Sequence, residues 1–218
     1  GKVTQAVYTV PANFTTLQRY AVKNASAAVG LQTVRMLSEP TAAALAYAVQ
    51  SQERRKAQEY ILIYDFGGGT LDVSVVYNNQ GFFQVLGTSG DVHLGGADFD
   101  QVLVEYCVKR FLKETNKDLS ADPTSLRRLH HACEEAKRSL SSLAKTFVEI
   151  SFRGEELVLS VTQREFERII NPLLRRAMLP ISEVLEEAKI DEKNIDAIVL
   201  VGGTTRIPRL QHLLKQQF

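Results

Sequence analysis

The feature that most constrains the fold is a run of three glycines, at positions 67–69, between two stretches with the pattern of β-strands. The apolar stretch before it ends near the carboxylate Asp65, and the stretch after it begins with Thr70 and a second carboxylate, Asp72. Three glycines in a row pack poorly, and a simple turn, the alternative interpretation, needs only one or two. An exposed glycine loop offers backbone N–H groups to an anion such as phosphate. Because a carboxylate beside a phosphate repels it unless a cation lies between, Asp65 predicts Mg²⁺ at this site.

Composition limits the classes of protein to consider. The chain has 218 residues, 44% of them hydrophobic, which is enough for one or two domains with a real core. A net charge of +1 gives no general attraction to nucleic acid or to an acidic membrane, so neither is expected as a partner. Cys107 and Cys133 fall in helix-like patterns, where a small buried hydrophobe is the usual role. Without a signal peptide or a long apolar run, we expect a soluble cytoplasmic monomer, and the missing initiator methionine suggests a piece of a longer chain.

Strand-like runs alternate with helical patterns along the chain, which predicts an α/β protein. Strands are predicted at 5–10, 32–37, 60–66, 70–77, 81–89, 146–152, 156–160 and 195–201. Helices are predicted at 15–29, 41–49, 97–114, 123–142 and 162–189, with a last one from Pro208. Pro172 and Pro180 are expected to kink or split the helix at 162–189. The polar segment 50–59, with charges at 53–56, is predicted to be a solvated linker and a domain boundary.

Two further glycine pairs lie next to predicted strands or helices. Gly202 and Gly203 follow the strand at 195–201, and Gly95 and Gly96 precede the helix at 97–114. Ligands of α/β sheets bind where strands end and glycines expose backbone donors, although tight turns or an ordinary helix entry would also use such pairs. No Walker loop or dinucleotide fingerprint is present, and the kinase-like tripeptide at 65–67 lacks the other kinase motifs.

Polar side chains also fall on one face of the helix predicted at 123–142. Glu134, Lys137, Arg138 and Ser141 are spaced i, i+3, i+4 and i+7. An arginine plane can stack on a base and the other groups can bond a ribose, but the same spacing also fits a solvated face with an ion pair. Glu39, between a strand and Pro40, either reaches a cleft or is an ordinary exposed carboxylate.

In order and spacing, these motifs resemble those of the seventy-kilodalton heat-shock chaperones of the DnaK type. The matching segments are 7–12, 38–47, 65–72, 90–96, 133–142 and 199–208, so that the resemblance covers essentially the whole chain. It implies an actin/hexokinase-like (ribonuclease H-like) ATPase fold, in which two lobes close on ATP or ADP. It also implies a division into the end of lobe I (1–50), the core of lobe II (51–94 and 171–218) and an outer subdomain of lobe II (95–170).

The resemblance assigns roles to the residues already named. Glu39 and Asp65 would be catalytic and, with Asp72, would hold Mg²⁺ mainly through water. The nucleotide would be bound by Gly67, Gly68, Gly69 and Thr70 at its β- and γ-phosphates, with Gly95 and Gly96 at the entry to the outer subdomain. Ribose and adenine would contact Glu134, Lys137, Arg138 and Ser141 on one side and Gly202, Gly203, Thr204 and Arg206 on the other.

The same resemblance implies an ATP-driven chaperone that works with J-domain co-chaperones and nucleotide-exchange factors. Unfolded client peptides would bind a domain outside this chain. The family's first phosphate hairpin and its catalytic lysine have no counterpart here, so we expect weak nucleotide binding and negligible hydrolysis. Ala97 replaces the family's usual glutamate, which favours an alternative, a non-catalytic regulatory relative docked, for example, on ribosomes. A sugar or acetate kinase of the same superfamily is less favoured, because residues 38–47 match the chaperones.

Overall fold

The structure is a computed structural model that describes residues 1–51 and 56–218, so the centre of the linker predicted at 50–59 lies outside the described residues. Its strands are β1 (Gln5–Val10), β2 (Gln32–Ser38), β3 (Gln58–Phe66), β4 (Leu71–Asn79), β5 (Phe82–Asp91), β6 (Lys145–Phe152), β7 (Glu155–Thr162) and β8 (Ala197–Val201). Its helices are α1 (Thr16–Ala28), α2 (Glu39–Gln50), α3 (Gly96–Thr115), α4 (Pro123–Ser139), α5 (Gln163–Ala188) and α6 (Pro208–Gln217), with short 3₁₀ turns at Leu119–Ala121, Glu192–Asn194 and Gly203–Arg206. The α/β class predicted from the sequence is confirmed.

The described residues form two compact units, and the first comprises residues 1–65, 72–90 and 180–201. It contains the parallel pair β1–β2 and a four-stranded sheet in the order β5–β4–β3–β8, in which β3 and β8 are parallel. Both central strands are near-continuous apolar runs because they are buried on both faces. Ala44 from α2 packs on Ile61, Ile63 and Val76 in this core. The core therefore fixes the strand whose end carries Asp65.

The second unit comprises residues 66–71, 91–179 and 202–218. The β6–β7 hairpin is antiparallel over its whole length, from Lys145 opposite Thr162 to Phe152 opposite Glu155. Helices α3 and α4 pack together through the two cysteines, which are buried as the sequence predicts, with their sulfurs 3.9 Å apart. Phe99 of α3 is also fully buried. These contacts give the unit a core of its own.

Two hairpin turns follow the chemistry expected from the sequence. Gln80 and Gly81, between β4 and β5, have φ values of 52° and 95°, and Arg153 and Gly154, between β6 and β7, have 48° and 80°. Two successive residues with positive φ form the type I′ turn, whose twist matches that of paired strands. The strands predicted at 70–77 and 81–89, and those predicted at 146–152 and 156–160, are therefore joined by tight hairpin turns.

Two helix predictions differ from the structure. Helix α5 is not split at Pro172 or Pro180 but continues as one helix from Gln163 to Ala188. A proline removes one backbone hydrogen bond, but burial of residues such as Ile170, Leu174 and Ile181 along the helix stabilises the continuous form. Helix α4 ends at Ser139, three residues before the predicted end. Within the described part of the chain, no helix combines the length and apolar character that crossing a membrane requires.

Candidate functional site

The glycine loop at 67–69 lies against the start of α3. The Gly67 N–H donates to the Thr70 carbonyl oxygen at 3.0 Å, and the Gly67 carbonyl accepts from the Gly96 N–H at 3.0 Å. The carbonyl of Gly68 accepts from the Ala97 N–H at 2.9 Å. The carbonyls of Gly67 and Gly68 are thus satisfied by the first turn of α3.

The amide side of the same loop faces outward. Gly68 and Gly69 are exposed, and among the described residues neither N–H has an acceptor. Two adjacent free N–H groups at the end of a buried strand form an arrangement that binds anions. The loop therefore has the donors that the sequence predicted for phosphate.

Gly95 and Gly202 pack directly against this loop. A Cβ on Gly95 would lie 2.4 Å from the Gly68 carbonyl oxygen, and one on Gly202 would lie 2.3 Å from the Phe66 carbonyl oxygen. Real Cβ atoms do not approach backbone so closely, so both positions require glycine. The Thr204 hydroxyl adds a hydrogen bond of 2.8 Å to the Gly67 carbonyl. The three glycine segments predicted from the sequence are therefore brought together in one unit.

A cavity of about 810 Å³ opens beside the loop. It is lined by nine of the residues predicted to bind nucleotide: Gly68, Gly96, Glu134, Lys137, Arg138, Ser141, Gly203, Thr204 and Arg206. Five other predicted residues do not line it, namely Gly67, Gly69, Thr70, Gly95 and Gly202. Three cationic and two acidic side chains line the cavity, which leaves one positive charge in excess and suits an anionic ligand.

The face of α4 toward this cavity differs in detail from the predicted one. Arg138 lies on the surface and forms ion pairs with Glu134 at 2.6 Å and with Glu135 at 2.9 Å. Ser141 lies beyond the end of α4, and its hydroxyl reaches the Lys137 carbonyl at 3.5 Å. The solvated ion pair, one of the two sequence alternatives, is therefore present, and the same helix also lines the cavity.

Sequence reasoning missed several lining residues. They are Asp100, Ser142, Ile207, Pro208 and Gln211, in addition to Ala97, which was noted only as a substitution. Asp100 is four residues after Gly96, so helical spacing alone places the two residues on the same face of α3, about one turn apart. That spacing is the signal that could have found it.

The three carboxylates predicted to hold a metal lie in the first unit. Burial raises the pKa of Glu39, and the negative charges of Asp65 and Asp72 raise it further. Burial also raises the pKa of Asp65, with a further contribution from Asp72. Helix α2 places Glu39 in its first turn, after the N-cap Ser38, whose hydroxyl accepts from the Thr41 N–H. These carboxylates repel one another, and a bound cation would reduce that repulsion.

The space beside these carboxylates limits how a metal could be held. The three share a recess of about 10 Å³, but Glu39 and Asp65 also line a cavity of about 520 Å³. Across the described ranges, no group of three acidic, histidine or cysteine side chains is arranged to coordinate a metal directly. The donor set therefore fits an oxygen-preferring cation such as Mg²⁺ only with water between the ion and the carboxylates.

The carboxylate cluster predicts a pH dependence of stability. Because the pKa values of Glu39 and Asp65 are raised in the folded state, that state binds protons more tightly than the unfolded chain does. The contribution of these two groups to the free energy of unfolding should therefore be lost as the pH rises above the usual carboxyl range of about 4. Other carboxylates, such as Asp91 and Glu165, have lowered pKa values and act in the opposite direction, so a variant is needed to isolate this contribution. The Asp72→Asn variant removes one source of the repulsion, so its free energy of unfolding should rise relative to that of the unmodified chain as the pH increases above about 4. Urea unfolding at a series of pH values measures both curves.

The control for this pH series is Glu105→Gln, which neutralises an exposed carboxylate on α3. We expect its pH profile to follow that of the unmodified chain. Identical slopes for the unmodified chain and the Asp72→Asn variant would contradict the coupling among the three carboxylates.

Comparison with known proteins places this fold and site in a family. The family model described as "Hsp70 protein" matches residues 1–218. A heat shock protein of Pyricularia oryzae is 47% identical over 219 residues, which is 100% of this chain and 36% of that protein. "Heat shock 70 kDa protein" of Neurospora crassa is 46% identical over 220 residues, covering 100% of this chain and 34% of that protein.

"Heat shock 70 kDa protein 2" of Paracoccidioides lutzii is 46% identical over 220 residues, covering 100% of this chain and 33% of that protein. The chain thus spans about a third of the length of the curated relatives it matches. Its α/β architecture is consistent with the actin/hexokinase-like ATPase fold expected from the sequence. A match over the whole chain, together with this identity, shows that the protein belongs to the Hsp70 family.

Proposed function

We propose that this chain supplies an adenine-nucleotide site to a cytoplasmic ATP-driven chaperone. In the whole protein, ATP hydrolysis would control the grip of another domain on unfolded peptides, with J-domain co-chaperones and nucleotide-exchange factors as partners. One observation carries the proposal: a cavity of about 810 Å³ collects nine of the predicted nucleotide-binding residues in the second unit. Membership of the Hsp70 family supports the chaperone role.

The cavity and the glycine loop beside it suit different parts of the nucleotide. The free N–H groups of Gly68 and Gly69 are donors for phosphate oxygens. Arg138, exposed on α4, offers its guanidinium plane to a base, and the Glu134 carboxylate can accept from ribose hydroxyls. The arrangement is one of positioning and charge stabilisation, as phosphoryl transfer requires.

The carboxylates of the first unit are proposed to hold Mg²⁺ through its waters. When bound, this ion neutralises charge on phosphoryl oxygens. Glu39 and Asp65 would accept hydrogen bonds from water and so orient it, with Asp72 supporting them. The hydrolysis that this would serve is expected to be negligible in the 218-residue chain, so turnover that Asp65→Asn abolishes would contradict this expectation.

Calorimetric titration with ADP and with adenosine tests the nucleotide site. Gly68→Asp places a carboxylate where phosphate is proposed to bind, and a side chain there meets nothing within 4 Å. We expect the affinity for ADP to fall by about tenfold or more, as like charges in a partly enclosed site repel, and the affinity for adenosine to change little. Gly68→Ala, which adds bulk but no charge, is the matched control and should bind both ligands nearly as the unmodified chain does.

The titration has two results that would reject the site. One is that the unmodified chain binds neither ADP nor adenosine. The other is that Gly68→Asp and Gly68→Ala bind ADP equally well.

A non-catalytic regulatory relative that acts as a binding module is the second candidate. Its support is Ala97, which lines the cavity and brings only a methyl group to it. If the site has lost a polar contact to the ribose at this position, Ala97→Glu should raise the affinity for adenosine, which carries no phosphate to repel the added carboxylate, severalfold. Unchanged affinity in the same titration would favour the ATP-driven chaperone.

A further inference from the structure

The wall of the cavity contains an ion pair between Lys137 and Asp100, of which the predicted nucleotide site includes only Lys137. We propose that Asp100 is a positioning residue, which fixes the ammonium group of Lys137 at the cavity wall and thereby sets the affinity for nucleotide. The second part of this inference rests on the proposed function. The first part concerns the chain alone.

Two hydrogen bonds to the protein hold the Lys137 ammonium group in place. The Lys137 Nζ donates to Asp100 Oδ2 at 2.7 Å and to the Gly96 carbonyl oxygen at 2.8 Å. Since an ammonium group has three N–H donors, two are used by the protein and one remains for a ligand. The side chains of Lys137 and Asp100 are only 14% and 13% exposed. A charge-assisted bond with so little access to water holds the ammonium far better than a surface pair would.

The second carboxylate oxygen of Asp100 shows that burying this side chain is energetically unfavourable in itself. Oδ1 is buried and, among the described residues, has no hydrogen-bond partner. Burial raises the pKa of Asp100, and the hydrogen bond and charge of Lys137 oppose that rise. If the only role of this residue were to pack, an apolar side chain at position 100 would give a more stable protein than a buried carboxylate does. The negative charge of Asp100 is therefore explained by its effect on Lys137, whose ammonium group it holds in place.

The elements that carry the pair leave it little freedom. Cys107, seven residues after Asp100, and Cys133, four residues before Lys137, meet at 3.9 Å between the same two helices. A Cβ on Gly96 would lie 3.2 Å from the Lys137 Nζ and 2.8 Å from the Thr204 hydroxyl, so the ammonium lies close against the backbone of α3 on that side. Lys137 is thus oriented before any ligand arrives.

Arg138, the next residue on α4, provides the contrast. Its side chain is 63% exposed, and its partners Glu134 and Glu135 are themselves 41% and 55% exposed. Such pairs contribute little and exchange readily with water. Of these two neighbouring cations, Lys137 is the pre-oriented one, and only its orientation depends on Asp100.

The test uses Asp100→Asn, which keeps the shape of the side chain and removes its charge. Side-chain ammonium groups that are held in protected hydrogen bonds give ¹H–¹⁵N signals at low temperature and mildly acidic pH, whereas freely exchanging ones do not. We expect a Lys137 signal in the unmodified chain, assigned by its loss in Lys137→Met, and no such signal in Asp100→Asn. The control is Glu114→Gln, which breaks the Arg110 ion pair of 2.8 Å on the same helix and should leave the signal unchanged.

Affinity provides the second readout through a double-mutant cycle. We expect Asp100→Asn to weaken binding of ADP and of adenosine by a similar factor of about five, and Lys137→Met to weaken it at least as much. If Asp100 acts through Lys137, then adding Asp100→Asn to Lys137→Met should produce no further loss. A residue with a general structural role would lower the affinity in both backgrounds.

Every outcome decides the inference. A Lys137 signal that persists in Asp100→Asn, or an equal loss of affinity in both backgrounds, would overturn it. If Asp100→Asn does not fold, Asp100→Ser, which is smaller and also neutral, is judged by the same signal. If the unmodified chain binds neither ADP nor adenosine, the proposed function fails, while the ammonium signal alone still decides whether Asp100 positions Lys137.

Discussion

Gly202→Ala is expected to lower the free energy of unfolding by about 3 kcal/mol or more, and to abolish binding of ADP in the cavity. Gly202 has φ 85° and ψ 152°, a region of backbone space that is essentially restricted to glycine. An added Cβ would also lie 2.3 Å from the Phe66 carbonyl oxygen, 2.5 Å from its carbonyl carbon and 3.0 Å from the Gly67 nitrogen. All three atoms are backbone, so no side chain can rotate away to relieve the contact. The loop that offers N–H groups to phosphate would have to shift.

Gly203→Ala is the matched control for this substitution. A Cβ at Gly203 meets nothing within 4 Å, and its φ is not in the left-handed region. Urea unfolding and ADP titration of the two variants, side by side, separate the effect of the close approach from that of losing a glycine. Equal stability of the two would contradict the role assigned to Gly202.

How far the sequence predicts this molecule depends on how local each signal is. The glycine loop and the start of α5, where Thr162 and Glu165 bond each other's backbone N–H, each depend on a few adjacent residues, and both lie where the sequence predicts them. The predicted continuation of α4 to 142 failed because helix ends depend on competition among turn conformations that spacing does not reveal. Continuity of α5 through two prolines depends on tertiary burial, which local sequence does not show.

In the candidate site, too, local spacing could be predicted from the sequence and non-local contacts could not. The spacing of Glu134, Lys137 and Arg138 predicts a shared helix face, and all three line one cavity. The spacing cannot say that Lys137 pairs inward with Asp100 while Arg138 pairs outward with Glu134. That difference arises from the position of α3, a non-local contact, so the spacing on α4 does not show which acidic partner each cation takes. The roles assigned to the carboxylates and to the nucleotide-binding residues stay predictions.

Phe99→Ala is expected to cost about 3–5 kcal/mol in free energy of unfolding, because it leaves a cavity in the core of the second unit. The Phe99 side chain is fully buried, and its ring meets the Phe66 ring edge to face, with centroids 5.7 Å apart. Phe66 is the residue directly before the glycine loop. Removing the Phe99 ring therefore removes the support of the loop as well as packing energy.

The effect on binding should be selective. Loosening the loop disorders the N–H groups proposed for phosphate, whereas the contacts that α4 offers to an adenosine remain. We therefore expect the affinity of Phe99→Ala for ADP to fall more than its affinity for adenosine, measured under conditions where the variant is still folded. Phe147→Ala, at a position 58% exposed on β6, is the control, and its stability should change by no more than about 1 kcal/mol, the contribution of an exposed ring with a lysine over it. If Phe99→Ala weakened ADP and adenosine binding equally, the ring would be a general core residue and would not support the phosphate loop in particular.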